Sequence, residues 1–315
     1  MTTATPDYQD WTTTDTGEQI LQSSAQHTIE TMVDLLGLQP GHRILEIGTG
    51  SGYSTALLAS HTGPTGKVTS IDINADLVDR ANRRLTADGY RWAEAHAANG
   101  LMGWPARAPY DRIIAWTTPP EVPQAWLDQA ADDAVLVTPV HLAPVAHAHA
   151  VLRAEVHIGQ IRRESLHPGS FIETHSAATN DPRVPTRHLD AVQWDANGSP
   201  SWISAAPLHE QHPAAQRLLA QLRALGKLEM SFPNRKHWQA AMAHVVTRWP
   251  ERACAAAGPW GLGLGIASTG GVAVITTTGL LVHAGDVDVR LALVAAVENW
   301  DRAGRPGYDA LRRAI

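Results

Sequence analysis

The sequence is poor in cysteine and in lysine, and it carries no excess of positive charge. Its single cysteine, Cys254, excludes an internal disulfide framework and a metal cluster held by thiolates. Only three lysines stand among the 25 basic residues, which face 31 acidic residues for a formal net charge of -6. This charge balance excludes a broadly basic nucleic-acid-binding protein.

We expect no targeting segment, and one uncharged stretch raises the question of a membrane. The amino terminus lacks a basic start followed by an apolar run, so we expect a cytoplasmic protein. Residues 253–282 contain no Asp, Glu, Lys or Arg, which is long enough to span a bilayer. However, the stretch holds a Gly270-Gly271 pair and a β-branched run after it. We therefore predict two or three buried strands here and no membrane partner.

The pattern of apolar residues predicts two domains in the 315 residues. Residues 1–22 are polar and predict an irregular or partly ordered lead-in. From residue 26 to 139, short apolar strands alternate with amphipathic helices, which is typical of a parallel sheet covered by helices on both faces. Beyond residue 140 the pattern favours antiparallel strands and then an α+β region, with helices predicted over 213–225, 237–248 and 286–302. We place the boundary in the loop 180–185, giving domains 1–185 and 186–315.

The strongest local signal is a glycine-rich turn, Gly48 to Gly52, between the apolar strand 43–47 and a helix. Glycines there permit positive φ angles and a close approach of a ligand to the backbone. Asp72 ends the next strand, where doubly wound nucleotide folds place the carboxylate that binds ribose hydroxyls. With Glu46 inside the strand, the pattern is Glu-x-Gly-x-Gly-x-Gly, which is typical of S-adenosyl-L-methionine methyltransferases. An ordinary strand–turn–helix corner is the alternative.

Several segments together resemble one family, the protein-L-isoaspartate O-methyltransferases, over roughly residues 20–175. The matching segments are Ser24–His27, Leu38–Tyr53, Val68–Asp72, Ala98–Pro105, Ala108–Ile114 and Ser170–Ile172. Cofactor motifs alone would indicate only a methyltransferase. The serine segment and the Ala-Pro-Tyr-Asp run that begins at Ala108 narrow the resemblance to this family.

The resemblance implies an α/β fold: a Rossmann-like class I S-adenosylmethionine-dependent methyltransferase sheet, with a smaller C-terminal α+β domain. It implies cofactor contacts from Glu46, Gly48, Thr49, Gly50, Ser51, Gly52, Asp72, Ile73, Asn99 and Gly100. It implies substrate contacts from Ser23, His27, Trp116, Thr117, Phe171 and Ile172. It also implies that the Ser24 hydroxyl positions the substrate carboxylate. A helix N-cap is the other role open to Ser24, and Ser23 is the other candidate for the aligned hydroxyl.

This chain departs from the family pattern mainly on the substrate side. Asn99 stands where the family usually has aspartate, and Trp116 stands where small residues normally line the pocket. The chain also continues well beyond Ile172, where the repair enzymes end soon after the equivalent segment. These departures put the substrate in question and leave the cofactor prediction unchanged.

Three hypotheses follow for the function. Similar extended chains accompany pathways for ribosomally made, modified peptides, which implies methylation of an aspartate in a constrained peptide, leading to aspartimide or isoaspartate. The alternative is a repair methyltransferase acting on isoaspartate in damaged proteins, and a second alternative is a non-catalytic cofactor-binding scaffold. We expect a peptide partner. We expect no metal, because His147 and His149 share a strand face without an evident third ligand. The sequence does not define the oligomeric state.

Overall fold

The computed structural model describes residues 5–14, 17–20, 23–171, 183–224, 228–229 and 232–311. The chain divides into two compact units. The first unit takes residues 1–140, 151–165 and 172–178, and the second takes residues 141–150, 166–171 and 179–315. Residues 180–182 of the predicted boundary loop lie outside the described residues. A functional boundary near residue 185 stays a prediction.

Strands and helices alternate along the first half of the chain, which confirms the predicted pattern. The elements are α1 (Tyr8–Thr12), α2 (Gln26–Leu36), β1 (Arg43–Ile47), α3 (Tyr53–Thr62), β2 (Lys67–Asp72), α4 (Ala75–Ala87), β3 (Ala93–Ala97), β4 (Tyr110–Ala115), α5 (Gln124–Asp128), β5 (Ala130–His141), β6 (His149–His157) and β7 (Gln160–His167). The seven strands form one sheet in the order β3-β2-β1-β4-β5-β6-β7.

The middle of this sheet is parallel and contains a switch in strand order. β1 pairs in parallel with β2 on one side and with β4 on the other, while β2–β3 and β4–β5 are parallel too. The chain therefore winds outward from β1 in both directions. In open α/β sheets, ligands bind beyond the carboxyl ends of the strands at such a switch point. The turn that follows β1 lies at this place.

The amino-terminal segment is ordered in part, which is one of the two alternatives predicted for it. The described part of residues 1–22 contains the short helix α1, whose N-cap Asp7 accepts a hydrogen bond from the Asp10 backbone N–H (3.1 Å). Trp11 in this helix is 1% exposed. Sequence patterning missed the helix because five residues are too few to show a helical period.

The second half of the chain forms an antiparallel sheet with three helices. Its elements are β8 (Ala191–Trp194), β9 (Pro200–Ala205), α6 (His212–Ala224), β10 (Leu228–Glu229), α7 (Arg235–Arg248), β11 (Ala253–Gly258), β12 (Gly261–Ala267), β13 (Gly271–Thr276), β14 (Leu280–Gly285) and α8 (Val287–Arg302). The strand order is β10-β14-β13-β12-β11-β9-β8. The three predicted helices are confirmed to within two residues at each end.

The uncharged stretch 253–282 lies in this second sheet. It contributes four strands, β11 to β14, one more than the upper number predicted. Nearly every side chain in β11 and β13 is buried, because the sheet carries helices and needs carbon surface for packing. None of the described helices combines the length and apolar character that crossing a membrane requires.

Candidate active site

The turn after β1 adopts the conformation that its glycines predict. Gly48, Gly50 and Gly52 have φ angles of 97°, 50° and 83°, a region that side chains with a Cβ rarely adopt. A Cβ added at Gly52 would lie 3.0 Å from a ring carbon of Trp11 and 3.1 Å from the Ala81 Cβ. The backbone of the turn is therefore held close to its neighbours at Gly52.

Glu46 lies beneath this turn with its carboxyl group entirely buried. Ser54 and Thr55 each donate a hydroxyl hydrogen bond to it at 2.5 Å, and the Trp116 indole Nε1–H donates one at 2.8 Å. Burial raises the pKa of Glu46, and these hydrogen bonds partly oppose that rise. A buried carboxyl is tolerated here because it has three donors.

These contacts concern two residues whose cofactor and substrate contacts stay predictions. Glu46 was expected to contact the cofactor and Trp116 the substrate, yet the two side chains bond to each other inside the protein. Trp116 is 7% exposed, and its Cβ lies 3.4 Å from where a Cβ of Gly48 would stand. We infer that both residues support the turn. The pairing could not be read from the chain, because 70 residues separate the partners.

Asp72 joins the end of β2 to the glycine turn. Its Oδ2 accepts the Gly50 backbone N–H and its Oδ1 accepts the Asn74 backbone N–H, each at 2.9 Å. The carboxylate is partly exposed. Since each carboxylate oxygen has two lone pairs, each retains acceptor capacity for a hydroxyl group. Ile73 follows with 42% of its surface exposed.

The loop after β3 approaches the same edge of the sheet. Ala98 donates its backbone N–H to the Asp72 carbonyl (2.9 Å), and the Asn99 side chain accepts the Leu101 backbone N–H (3.1 Å). A Cβ at Gly100 would lie 2.5 Å from the Ile47 side chain, so glycine is required there. Met102, which the sequence reasoning missed, is 63% exposed. The sequence feature that could have indicated Met102 is an apolar residue two positions after Gly100.

A serine cluster stands beside the turn. The Ser51 hydroxyl donates to the Ser23 hydroxyl (3.2 Å), and the Tyr8 hydroxyl donates to the Ser24 backbone carbonyl (3.0 Å). The N-cap of α2 is Ala25, so the alternative role of Ser24 as the N-cap is wrong. Within the described part of the chain, the Ser24 hydroxyl makes no hydrogen bond.

The remaining predicted residues fall into three groups. Thr49 is buried beneath the turn and its hydroxyl bonds to that of Ser70 (2.7 Å), while Thr117 lies near Gly48. His27 is exposed in the first turn of α2. Phe171 is buried in the second unit, and Ile172 lies outside the described residues.

Arg80 is a supporting residue that the sequence did not single out. Its guanidinium donates to the Ser51 carbonyl of the turn and to the Thr13 carbonyl, both at 2.9 Å. It therefore ties α4 and the amino-terminal segment to the turn. A single arginine on a polar helix face carries no sequence signal for such a contact.

The strand order, the glycine turn at the switch point and the acidic end of β2 define a class I methyltransferase domain. The profile of the protein-L-isoaspartate(D-aspartate) O-methyltransferase family matches residues 5–171, slightly more than half of the chain. The chain belongs to this family.

Curated relatives agree with this family. A protein-L-isoaspartate O-methyltransferase of Methanopyrus kandleri is 38% identical over 118 residues, which cover 37% of this chain and 52% of that protein. One from Ignicoccus hospitalis is 40% identical over 121 residues, or 38% of this chain and 57% of the relative. The match thus spans about half of the length of these relatives. One from Methanococcus maripaludis is 33% identical over 149 residues, covering 47% of this chain and 68% of the relative.

Solved structures give weaker likenesses. A protein-L-isoaspartate O-methyltransferase structure aligns with 91% of this chain and 76% of its own, at 18% identity and a TM-score of 0.43. An O-methyltransferase of Streptomyces achromogenes in complex with SAM aligns with 38% of this chain and 57% of its own, at 27% identity and a TM-score of 0.33. The family assignment rests on the sequence matches.

Proposed function

We propose that this protein is an S-adenosyl-L-methionine-dependent carboxyl O-methyltransferase that esterifies the free carboxylate of isoaspartyl residues in damaged polypeptides. The observation that carries the proposal is the family match over residues 5–171, which includes the glycine turn, Asp72 and Ser24. Within this match the turn has the backbone geometry that a nucleoside-containing cofactor requires.

S-adenosyl-L-methionine is the cofactor of this family, and the residues present fit it. The Gly48 backbone at the start of the turn is half-buried, and the Asp72 oxygens retain lone pairs for two ribose hydroxyls. Exposed Ile73 and Met102 offer apolar surface for an adenine ring, and the Asn99 amide would pair with its edge. When bound, the cofactor supplies a methyl group on a positively charged sulfur.

The chain needs no general base for this reaction. The reacting oxygen belongs to the polypeptide, and a carboxylate with an ordinary pKa near 3.9 is ionised at neutral pH. The chain has to hold that oxygen in line with the methyl group and exclude water. The Ser24 hydroxyl, which makes no hydrogen bond within the described residues, would donate one to the carboxylate and orient it.

A narrower substrate, an aspartate in a modified ribosomal peptide, remains a prediction. Its support lies in the length of chain beyond residue 171, the end of the family match. The second unit supplies additional surface for a constrained peptide. A cytoplasmic location also stays a prediction.

Methyl transfer to matched peptides tests the proposal. Three peptides of the same sequence carry an isoaspartyl residue, an ordinary aspartate in linear form, or the aspartate in a cyclised form. With methyl-labelled cofactor, we expect strong labelling of the isoaspartyl peptide alone. Methyl ester formation on the cyclised peptide, followed by release of the label as methanol and a net loss of water from the peptide, would favour the modified-peptide substrate instead. Cofactor binding without any labelling would leave only the non-catalytic scaffold.

The role of Ser24 has its own test. Ser24→Ala should lower kcat roughly 10- to 100-fold, because a hydrogen bond to a charged carboxylate is lost. The affinity for the cofactor and the melting temperature should change little. Ser23→Ala is the matched control, since the Ser23 hydroxyl already accepts a bond from Ser51. A loss of kcat in Ser23→Ala with normal turnover in Ser24→Ala would reverse the assignment.

A further inference from the structure

The second unit contains a pocket that the proposed methyl transfer does not use. Its volume is about 540 Å³, counting the open mouth. The lining comes mainly from α7, from β12 and from two short segments, within 142–149 and at 169–170. All of these parts belong to the second unit.

One wall of the pocket is apolar. Trp238 and Val246 of α7 and Leu264 of β12 line it, and each is no more than 8% exposed. The indole Nε1–H of Trp238 donates to the Ile275 carbonyl at 3.0 Å, which holds the ring in place. The wall therefore offers rigid carbon surface, which favours an apolar side chain.

The charge of the pocket comes from one residue. Arg235 is exposed at its edge, and its guanidinium forms no hydrogen bond or ion pair with the described residues. His147 and His149 also line the pocket, but burial lowers the pKa of both, so both are neutral at pH 7. No aspartate or glutamate is found among the described lining residues, although acidic residues outnumber basic ones in the chain. The pocket therefore favours an anion beside an apolar group.

The rim places polar groups next to the segment expected to meet the substrate. Gly169 and Ser170 line the pocket and directly precede Phe171, the last residue of the family match. Ser170, Gln239 and Thr277 present a hydroxyl, an amide and a hydroxyl, which can pair with backbone N–H and C=O groups. A polypeptide ligand satisfies such a rim better than a small apolar molecule.

We propose that this pocket binds a segment of the polypeptide substrate in which an apolar side chain stands next to a carboxylate. The apolar side chain packs against Trp238 and Leu264, and the carboxylate pairs with Arg235. That the ligand is the substrate rests on the proposed function. Contacts remote from the reacting group raise affinity for the polypeptide, so they act on KM when they are equal in the ground and transition states.

Calorimetry on the full chain tests binding without any methyl transfer. The probes are blocked hexapeptides that lack isoaspartate and contain Trp-Glu, Trp-Gln or Ala-Glu in an otherwise identical Gly/Ser sequence. We expect the Trp-Glu peptide to bind most tightly. Arg235→Gln should weaken it roughly three- to tenfold and remove the preference for Glu over Gln. Lys236→Gln is the matched control, because Lys236 is the next residue of α7, is exposed and does not line the pocket.

A kinetic experiment connects the pocket to the substrate. Isoaspartyl peptides extended by the same Trp-Glu or Trp-Gln pair should differ in KM, with kcat unchanged, and Arg235→Gln should abolish the difference. The proposal is overturned if the three hexapeptides bind equally, if none binds, or if Arg235→Gln and Lys236→Gln behave alike. Binding of the Trp-Glu hexapeptide without methylation of any isoaspartyl peptide would instead refute the proposed function and leave the pocket standing.

Discussion

Glu46 in the first unit and two histidines in the second unit are buried ionisable side chains with opposite surroundings. The carboxyl of Glu46 is fully buried and accepts hydrogen bonds from Ser54, Thr55 and Trp116, so we infer that it supports the glycine turn. In the second unit, His141 and His149 each bury a ring nitrogen that has no hydrogen-bond partner among the described residues. The difference shows that donors around a buried carboxyl offset part of the cost of its burial, whereas a buried ring nitrogen without a partner has no such compensation.

The second unit concentrates these histidines in one cluster. Ring centroids lie 4.6 Å apart for His141 and His149, 6.0 Å for His141 and His188, and 5.5 Å for His188 and His209. Asp190 bonds to His209 at 2.9 Å. Within the described residues no three potential ligands have a metal-binding arrangement. Protonation of the cluster would therefore place positive charges close together with one carboxylate beside them.

The largest expected effect is on the first unit and concerns Asp72. Asp72→Ala should weaken binding of S-adenosyl-L-homocysteine roughly 100-fold, because charge-assisted hydrogen bonds to two hydroxyls are lost. Titration calorimetry measures this change. Asp76→Ala, an exposed carboxylate in the first turn of α4, should bind normally. If Asp72→Ala and the unsubstituted protein bind S-adenosyl-L-homocysteine equally well, the cofactor site does not lie at this edge of the sheet.

The second-largest expected effect is that acidification destabilises the second unit. Burial lowers the pKa of His141 to about 4 and that of His149 well below its usual value. Because the folded protein binds these protons less tightly than the unfolded chain does, the free energy of unfolding is highest above pH 6.5 and decreases as the pH falls toward 4. The loss should be on the order of 2 to 3 kcal/mol. Urea unfolding followed between pH 7 and pH 4 measures it.

Glu46 should oppose that trend in the first unit. Its pKa is higher in the folded protein than in the unfolded chain. Its contribution to the free energy of unfolding is therefore complete at a pH below the pKa of the unfolded chain, and it is lost as the pH rises through the pKa of the folded protein. Hydrogen exchange at pH 7 and pH 4 separates the two units. Amides of β12 and β13 should lose protection on acidification before those of β1 do. Loss of protection in β1 first would break the comparison.

Removing one donor from Glu46 should have a smaller effect. Trp116→Phe removes one donor from the buried carboxyl and should lower the free energy of unfolding by about 1 to 2 kcal/mol. Cofactor affinity should fall with it, since the turn loses support. Trp300→Phe in the second unit removes a bond to the neutral Pro306 carbonyl (3.0 Å) and is the matched control. If the cofactor affinity of Trp116→Phe is unchanged, the indole contributes packing only, and its hydrogen bond does not support the turn.

The smallest effect compares two helix caps. The Asn74 side chain accepts backbone N–H groups at the start of α4, and Asn234 does the same at the start of α7. Replacing either by alanine should cost about 1 kcal/mol. Asn74→Ala should shift protection only in the first unit and Asn234→Ala only in the second. If each variant weakens both units equally, the units unfold together.

Much of the fold follows from local patterns in the chain. An apolar run followed by Gly48 predicted β1 and its turn, and buried Ile29, Met32 and Leu36 follow the period that predicted α2. Two features had no signal in the sequence, because one element is too short and one pair of residues is too far apart along the chain. Helix α1 has five residues, and 70 residues separate Trp116 from its partner Glu46.

Local residue types thus defined the strands, the main helices, the glycine turn and the acid that follows it, because these depend on side-chain periodicity and backbone freedom. Packing between distant segments decided everything that requires two partners. It placed the indole of Trp116 on Glu46, removed Ser24 from the helix cap and gathered the histidines of the second unit. Contacts of this kind depend on which elements meet in space, and hydrophobic periodicity along a chain does not record that.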